Sequence, residues 1–175
     1  EVNNLGTASY SKGAAGTQTA ALAFGGSPDA CESWDGTNWT SSGAMNNSIR
    51  NFGSCGVQTA ALAFGGRPEP SVSAKTEEWN GSSWTTSNEL NTAVRNNMGS
   101  GIQTAALNSG GNRVASDTLT NSTEEYNGTS WTASPGSMNT ARMASAPNTG
   151  GLQTAALVYG GTPSASALTE LYDGT

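Results

Sequence analysis

The chain has 175 residues, a net charge of −6 and no histidine, with seven Lys and Arg that never cluster. That balance argues against nucleic acid and anionic membrane surfaces, both of which need a basic patch, and no apolar run approaches the ~18–20 residues of a membrane-spanning helix. The apolar fraction is low at 34 %, but five Trp and four Tyr stand at regular places, which speaks for a folded, hydroxyl-rich, all-β protein rather than a disordered chain.

The regularity is an internal repeat. Gln-Thr-Ala-Ala-Leu begins at Gln18, Gln58, Gln103 and Gln153, at intervals of 40, 45 and 50 residues. Repeats of that period build propellers, solenoids or arrays. One repeat domain over 1–175 is expected, with blades near 1–45, 46–90, 91–138 and 139–175.

Taken in chain order, each repeat predicts four short strands. The first is a small-residue stretch, at Gly6 to Ala14, Ile49 to Cys55, Val94 to Ser100 and Arg142 to Pro147. The second is Gln-Thr-Ala-Ala-Leu running to Gly25-Gly26, Gly65-Gly66, Gly110-Gly111 or Gly160-Gly161, with small side chains expected to line the inside of the blade. The third is Glu-x-Trp/Tyr, ending at Trp34, Trp79, Tyr126 and Tyr172. The fourth starts at Trp39, Trp84 and Trp131, after an Asp-Gly or Asn-Gly pair suited to the positive φ of a tight hairpin. The third repeat departs at Asn108-Ser109, where a looser or wetter interior is expected.

The order of small-residue strand, hydrophobic strand with Gly-Gly, Glu-x-Tyr-Asp and a later Trp resembles the kelch repeat over essentially the whole chain. The resemblance implies a kelch-like β-propeller of four-stranded antiparallel blades, about four of them in this chain. The near-constant Gln-Thr-Ala-Ala-Leu also resembles tandem repeats of marine phage and bacterial surface proteins. Aligned as repeats, Glu1 takes the place of Thr86, and joining Thr175 to Glu1 omits only the positions of Ser83, Trp84 and Thr85. A four-bladed ring whose last blade is completed by the N-terminus and a segment of a longer array both stay open.

The chemistry is sparse. Without histidine, His-based triads and metal sites are excluded. Lys12 and Lys75 lie in variable, surface-like segments, and no phosphate-binding loop or EF-hand spacing occurs. No cofactor, metal site or catalytic residue is expected. Cys31 and Cys55 sit in small-residue slots, which favours two packed free thiols, although a disulfide between unlike repeat positions is possible. Arg50, Arg95 and Arg142 each fall 11 residues after a repeat Trp, and Glu32, Glu77, Glu124 and Glu170 recur as regularly. These are either a ring of ligand-binding charge or structural groups; recurrence in each repeat favours the second.

The segments between Gly-Gly and the following Trp or Tyr vary in length and share one face of a propeller. Binding usually resides in such loops on a rigid scaffold. The candidates are Asp29, Arg67, Glu69, Asn112, Arg113 and Asp117. The expected function is a non-enzymatic structural or binding module, extracellular or on a virion (tail fibre or capsid-associated) or cell surface, recognising a protein or surface glycan, with no membrane insertion and as part of a larger assembly. A cytoplasmic kelch-type interaction adaptor is the alternative, and a glycan-active propeller enzyme the third reading.

Overall fold

The computed structural model describes residues 2–68, 71–113, 118–143, 149–163 and 167–175. They form four antiparallel sheets arranged as a four-bladed β-propeller, with no helix among the described residues. Blade 1 contains β1 (Gly13–Thr17), β2 (Ala20–Phe24), β3 (Glu32–Trp34) and β4 (Trp39–Ser41). Blade 2 contains β5 (Gly53–Val57), β6 (Ala60–Phe64), β7 (Thr76–Trp79) and β8 (Trp84–Ser87). Blade 3 contains β9 (Met98–Ile102), β10 (Ala105–Arg113), β11 (Thr118–Tyr126) and β12 (Trp131–Ala133). Blade 4 contains β13 (Thr149–Leu152), β14 (Ala155–Tyr159) and β15 (Thr169–Tyr172). Within each sheet the strands pair in chain order.

Strands β1, β5, β9 and β13 pack on one another in that order around an axial channel of about 460 Å³. Ala14, Gly16, Ser54, Gly56, Gly101 and Gly151 are among its walls. The innermost strand is therefore the small-residue one, not Gln-Thr-Ala-Ala-Leu as the sequence suggested. The first strands also start later than expected. Ser11, Asn51 and Asn96 adopt φ of 58°, 57° and 51°, which turns the chain just before each inner strand.

Gln-Thr is a turn rather than strand. Register pairs Thr17↔Ala20, Val57↔Ala60, Ile102↔Ala105 and Leu152↔Ala155 enclose two residues each, making two-residue hairpins. Gly56 precedes one of them at φ 108°, and a Cβ there would lie 2.3 Å from the Ala60 carbonyl oxygen. Only glycine fits.

The repeated glutamines tie blade to blade. Gln58 Nε2 donates to the carbonyls of Ala21 (3.2 Å) and Trp34 (2.5 Å). Gln103 does the same to Ala61 (3.0 Å) and Trp79 (2.7 Å), and Gln153 to Ala106 (3.0 Å) and Tyr126 (2.7 Å). The Gly-Gly pairs act at the same interfaces. The amide of Gly26 donates to Ile49 O at 2.9 Å, Gly66 to Val94 O at 2.7 Å and Gly111 to Arg142 O at 2.8 Å. A Cβ on Gly65 would meet Val94 O at 2.8 Å, so this approach excludes a side chain.

Apolar clusters fill the gaps between sheets. Leu22, Phe24, Ile49, Ala61, Trp79 and Trp84 belong to the first; Leu62, Phe64, Leu90, Val94, Tyr126 and Trp131 to the second. Phe24 meets Trp84, and Phe64 meets Trp131, each at a centroid distance of 4.8 Å. Full burial of one such ring contributes about 2–3 kcal/mol. The third gap holds Met98, Met138 and Val158.

Asn108 and Ser109 are buried, and Asn97 Nδ2 donates to Asn108 Oδ1 at 2.8 Å and to Phe64 O at 3.2 Å. Ser109 takes the place that Phe24 and Phe64 hold in blades 1 and 2, and Asn108 that of Ala23 and Ala63; Asn97 Oδ1 is left buried with no hydrogen-bond partner among the described residues.

Candidate functional site

The recurring glutamates resolve as structural groups. Glu77 is buried and accepts from Asn46 N (2.8 Å), Asn46 Nδ2 (3.0 Å), Asn47 N (2.9 Å) and Asn47 Nδ2 (2.9 Å). Glu32 accepts from the amides of Gly6 (2.6 Å) and Thr7 (3.0 Å), and Glu124 from those of Asn91 (2.8 Å) and Thr92 (3.2 Å). Each carboxylate holds the entering segment of its own repeat against the third strand.

Arginine does not recur as the spacing implied. Antiparallel bridges join Tyr10 to Ser27, Arg50 to Arg67, Arg95 to Asn112 and Met143 to Thr162. The fourth member of that series is Met143, because the segment after Trp131 is one residue longer than its counterparts. Arg142 is displaced into the core, where it is buried, pairs with Glu170 and donates to the carbonyls of Gly160 and Leu168, both at 3.2 Å.

These bridges gather at the end of the channel opposite the Gln-Thr hairpins. Asn51 Nδ2 donates to Asn96 Oδ1 at 2.8 Å, and the Asn96 amide to Asn51 O at 2.6 Å, which binds adjacent bridges together. Beside them lies a crevice of about 350 Å³ between blades 1 and 2. Ser27, Ser48, Arg50 and Arg67 supply its polar walls, and Gly26, Ile49 and Pro68 complete it. Arg50 and Arg67 face one another across their bridge, so two guanidinium groups carry positive charge to one crevice of an acidic protein. Ser48 was not among the sequence candidates, and Arg50 was weighed there as ligand-binding charge but favoured as a structural group; their place before the inner strand gave no sign that they line the same crevice as the following loop.

The sequence candidates scatter around this end. Arg67 lines the crevice. Asn112 is buried on β10, bridged to Arg95. Arg113, at the end of β10, donates from Nη2 to Ser122 Oγ at 2.8 Å. Strands β10 and β11 pair past the Gly-Gly pair through an irregularity between Ser109 and Gly111, so this loop is partly a hairpin. Glu69 and Asp117 lie outside the described residues.

Asp29 belongs to a separate half-buried group. Its Oδ1 is buried with no hydrogen-bond partner among the described residues. Lys12 reaches beneath the same loop and donates to Ala30 O (2.5 Å) and Gly25 O (3.2 Å), so it is not the surface lysine the sequence suggested. Burial pushes the Asp29 carboxyl up, against the pull of Lys12, and burial pushes Lys12 down, against Glu32. Cys31 and Cys55 are free, buried thiols; burial raises both, Cys55 to about 12. Such thiols are poor nucleophiles. No group of three or more metal-ligating acids or cysteines occurs among the described residues.

No protein-family model matches the chain, and no curated protein matches it.

Proposed function

We propose that this chain is a non-catalytic binding module, a kelch-like propeller on a virion or cell surface that attaches to a surface glycan or protein through the bridge-and-loop end of its channel. The observation that carries the reading is the crevice between blades 1 and 2. There Arg50 and Arg67 stand beside the hydroxyls of Ser27 and Ser48. Guanidinium forks and hydroxyls together suit the carboxylate, sulfate and hydroxyl groups of an acidic glycan or peptide. The loops at this end differ in length while the sheets repeat, as expected where a rigid scaffold carries recognition.

A glycan array probed with the whole chain and with Arg67→Ala tests the reading. Binding that weakens at least tenfold in Arg67→Ala, at unchanged melting temperature, is the expected outcome. No glycan bound, alongside capture of a cytosolic protein, overturns surface attachment.

A further inference from the structure

One turn is built four times, on two different residues. Asp35-Gly36, Asn80-Gly81, Asn127-Gly128 and Asp173-Gly174 each follow the third strand of a blade, with the glycine at φ between 87° and 94°. In every copy the side-chain Oδ1 accepts from the chain just ahead. Asp35 takes the amides of Thr37 and Asn38, both at 2.7 Å. Asn80 takes those of Ser82 (3.0 Å) and Ser83 (2.9 Å), and Asn127 those of Thr129 and Ser130, both at 2.9 Å. Asp173 takes the Thr175 amide at 3.1 Å. Carboxylate and carboxamide thus hold the same turn.

Asn-Gly occurs at no other place in the chain. Both asparagines are exposed, and among the described residues neither side-chain nitrogen donates a hydrogen bond. The side-chain nitrogens of Asn46, Asn47, Asn91 and Asn121, by contrast, all donate within the fold. Each glycine leaves its own nitrogen unshielded by a side chain. The chemistry this allows needs only water. The Gly81 nitrogen, having lost its proton to solvent, attacks Cγ of Asn80 and closes a five-membered succinimide. The Cγ–Nδ2 bond breaks, and ammonia leaves with a proton from solvent. Water then opens the ring, to aspartate at one carbonyl or isoaspartate at the other. Two backbone N–H groups already lie on the oxygen that gains negative charge in the tetrahedral intermediate, at distances suited to an oxyanion. The same hydrogen bonds bend each side chain back over the peptide that joins it to its glycine, which favours the intramolecular attack.

We propose that Asn80 and Asn127 are sites of spontaneous deamidation, promoted by their own turns, and that the aspartates formed keep those turns intact. Asp35 and Asp173 represent the product in place. The amides of Asn38 and Thr37 hold the Asp35 carboxyl below the ordinary carboxylate range, and the hydroxyl and amide of Thr175 do the same for Asp173. The position therefore binds a carboxylate at least as readily as an amide. A Cβ on Gly81 would lie 3.5 Å from Thr59 O, and one on Gly128 3.4 Å from Thr104, so both sites stand beside the Gln-Thr hairpins. Two conversions carry the net charge from −6 to −8 and place the added charge at the end of the channel opposite the Arg50–Arg67 crevice.

Peptide mapping by mass spectrometry tests the proposal, on the whole chain incubated in mildly alkaline buffer and on the same chain unfolded in guanidinium. Asn80 and Asn127 are expected to convert before every other asparagine of the folded chain, and at least as fast there as in the unfolded one. A chain carrying both Asn80→Asp and Asn127→Asp is expected to keep the wild-type melting temperature. Conversion of another asparagine first, or slower conversion of either site in the folded chain than in the unfolded one, overturns the proposal. So does a double variant that melts below wild type.

Discussion

The hydroxyl of Tyr126, in blade 3, donates to the carboxylate of Glu78, in blade 2, and shares a second hydrogen bond with Ser87 Oγ at 2.6 Å. Burial, reinforced by Glu78, pushes the phenol up from 10.0 to about 12. The folded state therefore keeps a proton that the unfolded chain releases near pH 10.

The stabilisation from this phenol is complete below about pH 10 and is lost as pH rises toward 12. The urea midpoint is expected to fall across that window, and to fall less steeply in Tyr126→Phe. Cys55, raised from 9.0 to about 12 by burial, adds a fall that begins near pH 9, so Cys55→Ala separates the two contributions. Equal slopes in wild type and Tyr126→Phe above pH 10 would count against the pairing.

Phe64 and Tyr159 occupy the same position in blades 2 and 4 but meet different surroundings. Phe64 is buried against Trp131, and Phe64→Ala is expected to cost about 3–5 kcal/mol. Tyr159→Ala, at an exposed site, is expected to cost under about 0.5 kcal/mol in dilute solution. Chemical denaturation of both variants measures the contrast.

Removing the Glu77 carboxylate takes away the acceptor of four hydrogen bonds from Asn46 and Asn47, of whose donors only Asn46 Nδ2 keeps another acceptor, Trp84 O. Glu77→Ala is expected to lower stability by about 3 kcal/mol, and Glu77→Gln by less, because one acceptor oxygen survives. Hydrogen exchange at the Asn46 and Asn47 amides reports the loss locally; unchanged protection there contradicts the assignment.

Arg142→Ala leaves Glu170 without its buried cation and takes the guanidinium from the carbonyls of Gly160 and Leu168, the second of which keeps the Gly160 amide. A cost of about 3–5 kcal/mol is expected. Thermal unfolding of this variant should resemble that of a core truncation rather than of a surface charge change.

Much of the fold was legible in sequence, because the repeat states each blade four times. Trp79 and Trp84 pair across a hairpin, and Gly65-Gly66 ends a strand where the spacing placed them. What failed were properties set by neighbours. Gln-Thr reads as strand by continuity with Ala-Ala-Leu, yet the glutamine is spent on carbonyls of another blade, which no local pattern announces. Arg142 reads as the partner of Arg95 by counting, and one added residue after Trp131 moves it to the core. The crevice was half legible: Arg67 stands in a variable loop, whereas Arg50 comes to it only through the bridge that pairs the two backbones.

The small-residue strands around the channel have a last consequence. Each is the terminal strand of its sheet, and an unpaired sheet edge is a template for aggregation. Turning four edges toward one axis hides them from other chains without spending a large side chain on the task. The outward edges of the first three blades are kept to three or four residues, Trp39–Ser41, Trp84–Ser87 and Trp131–Ala133, too short to recruit a long foreign strand. Among the described residues all the regular structure is β, and most of its sheet edges are thus either turned inward or kept short.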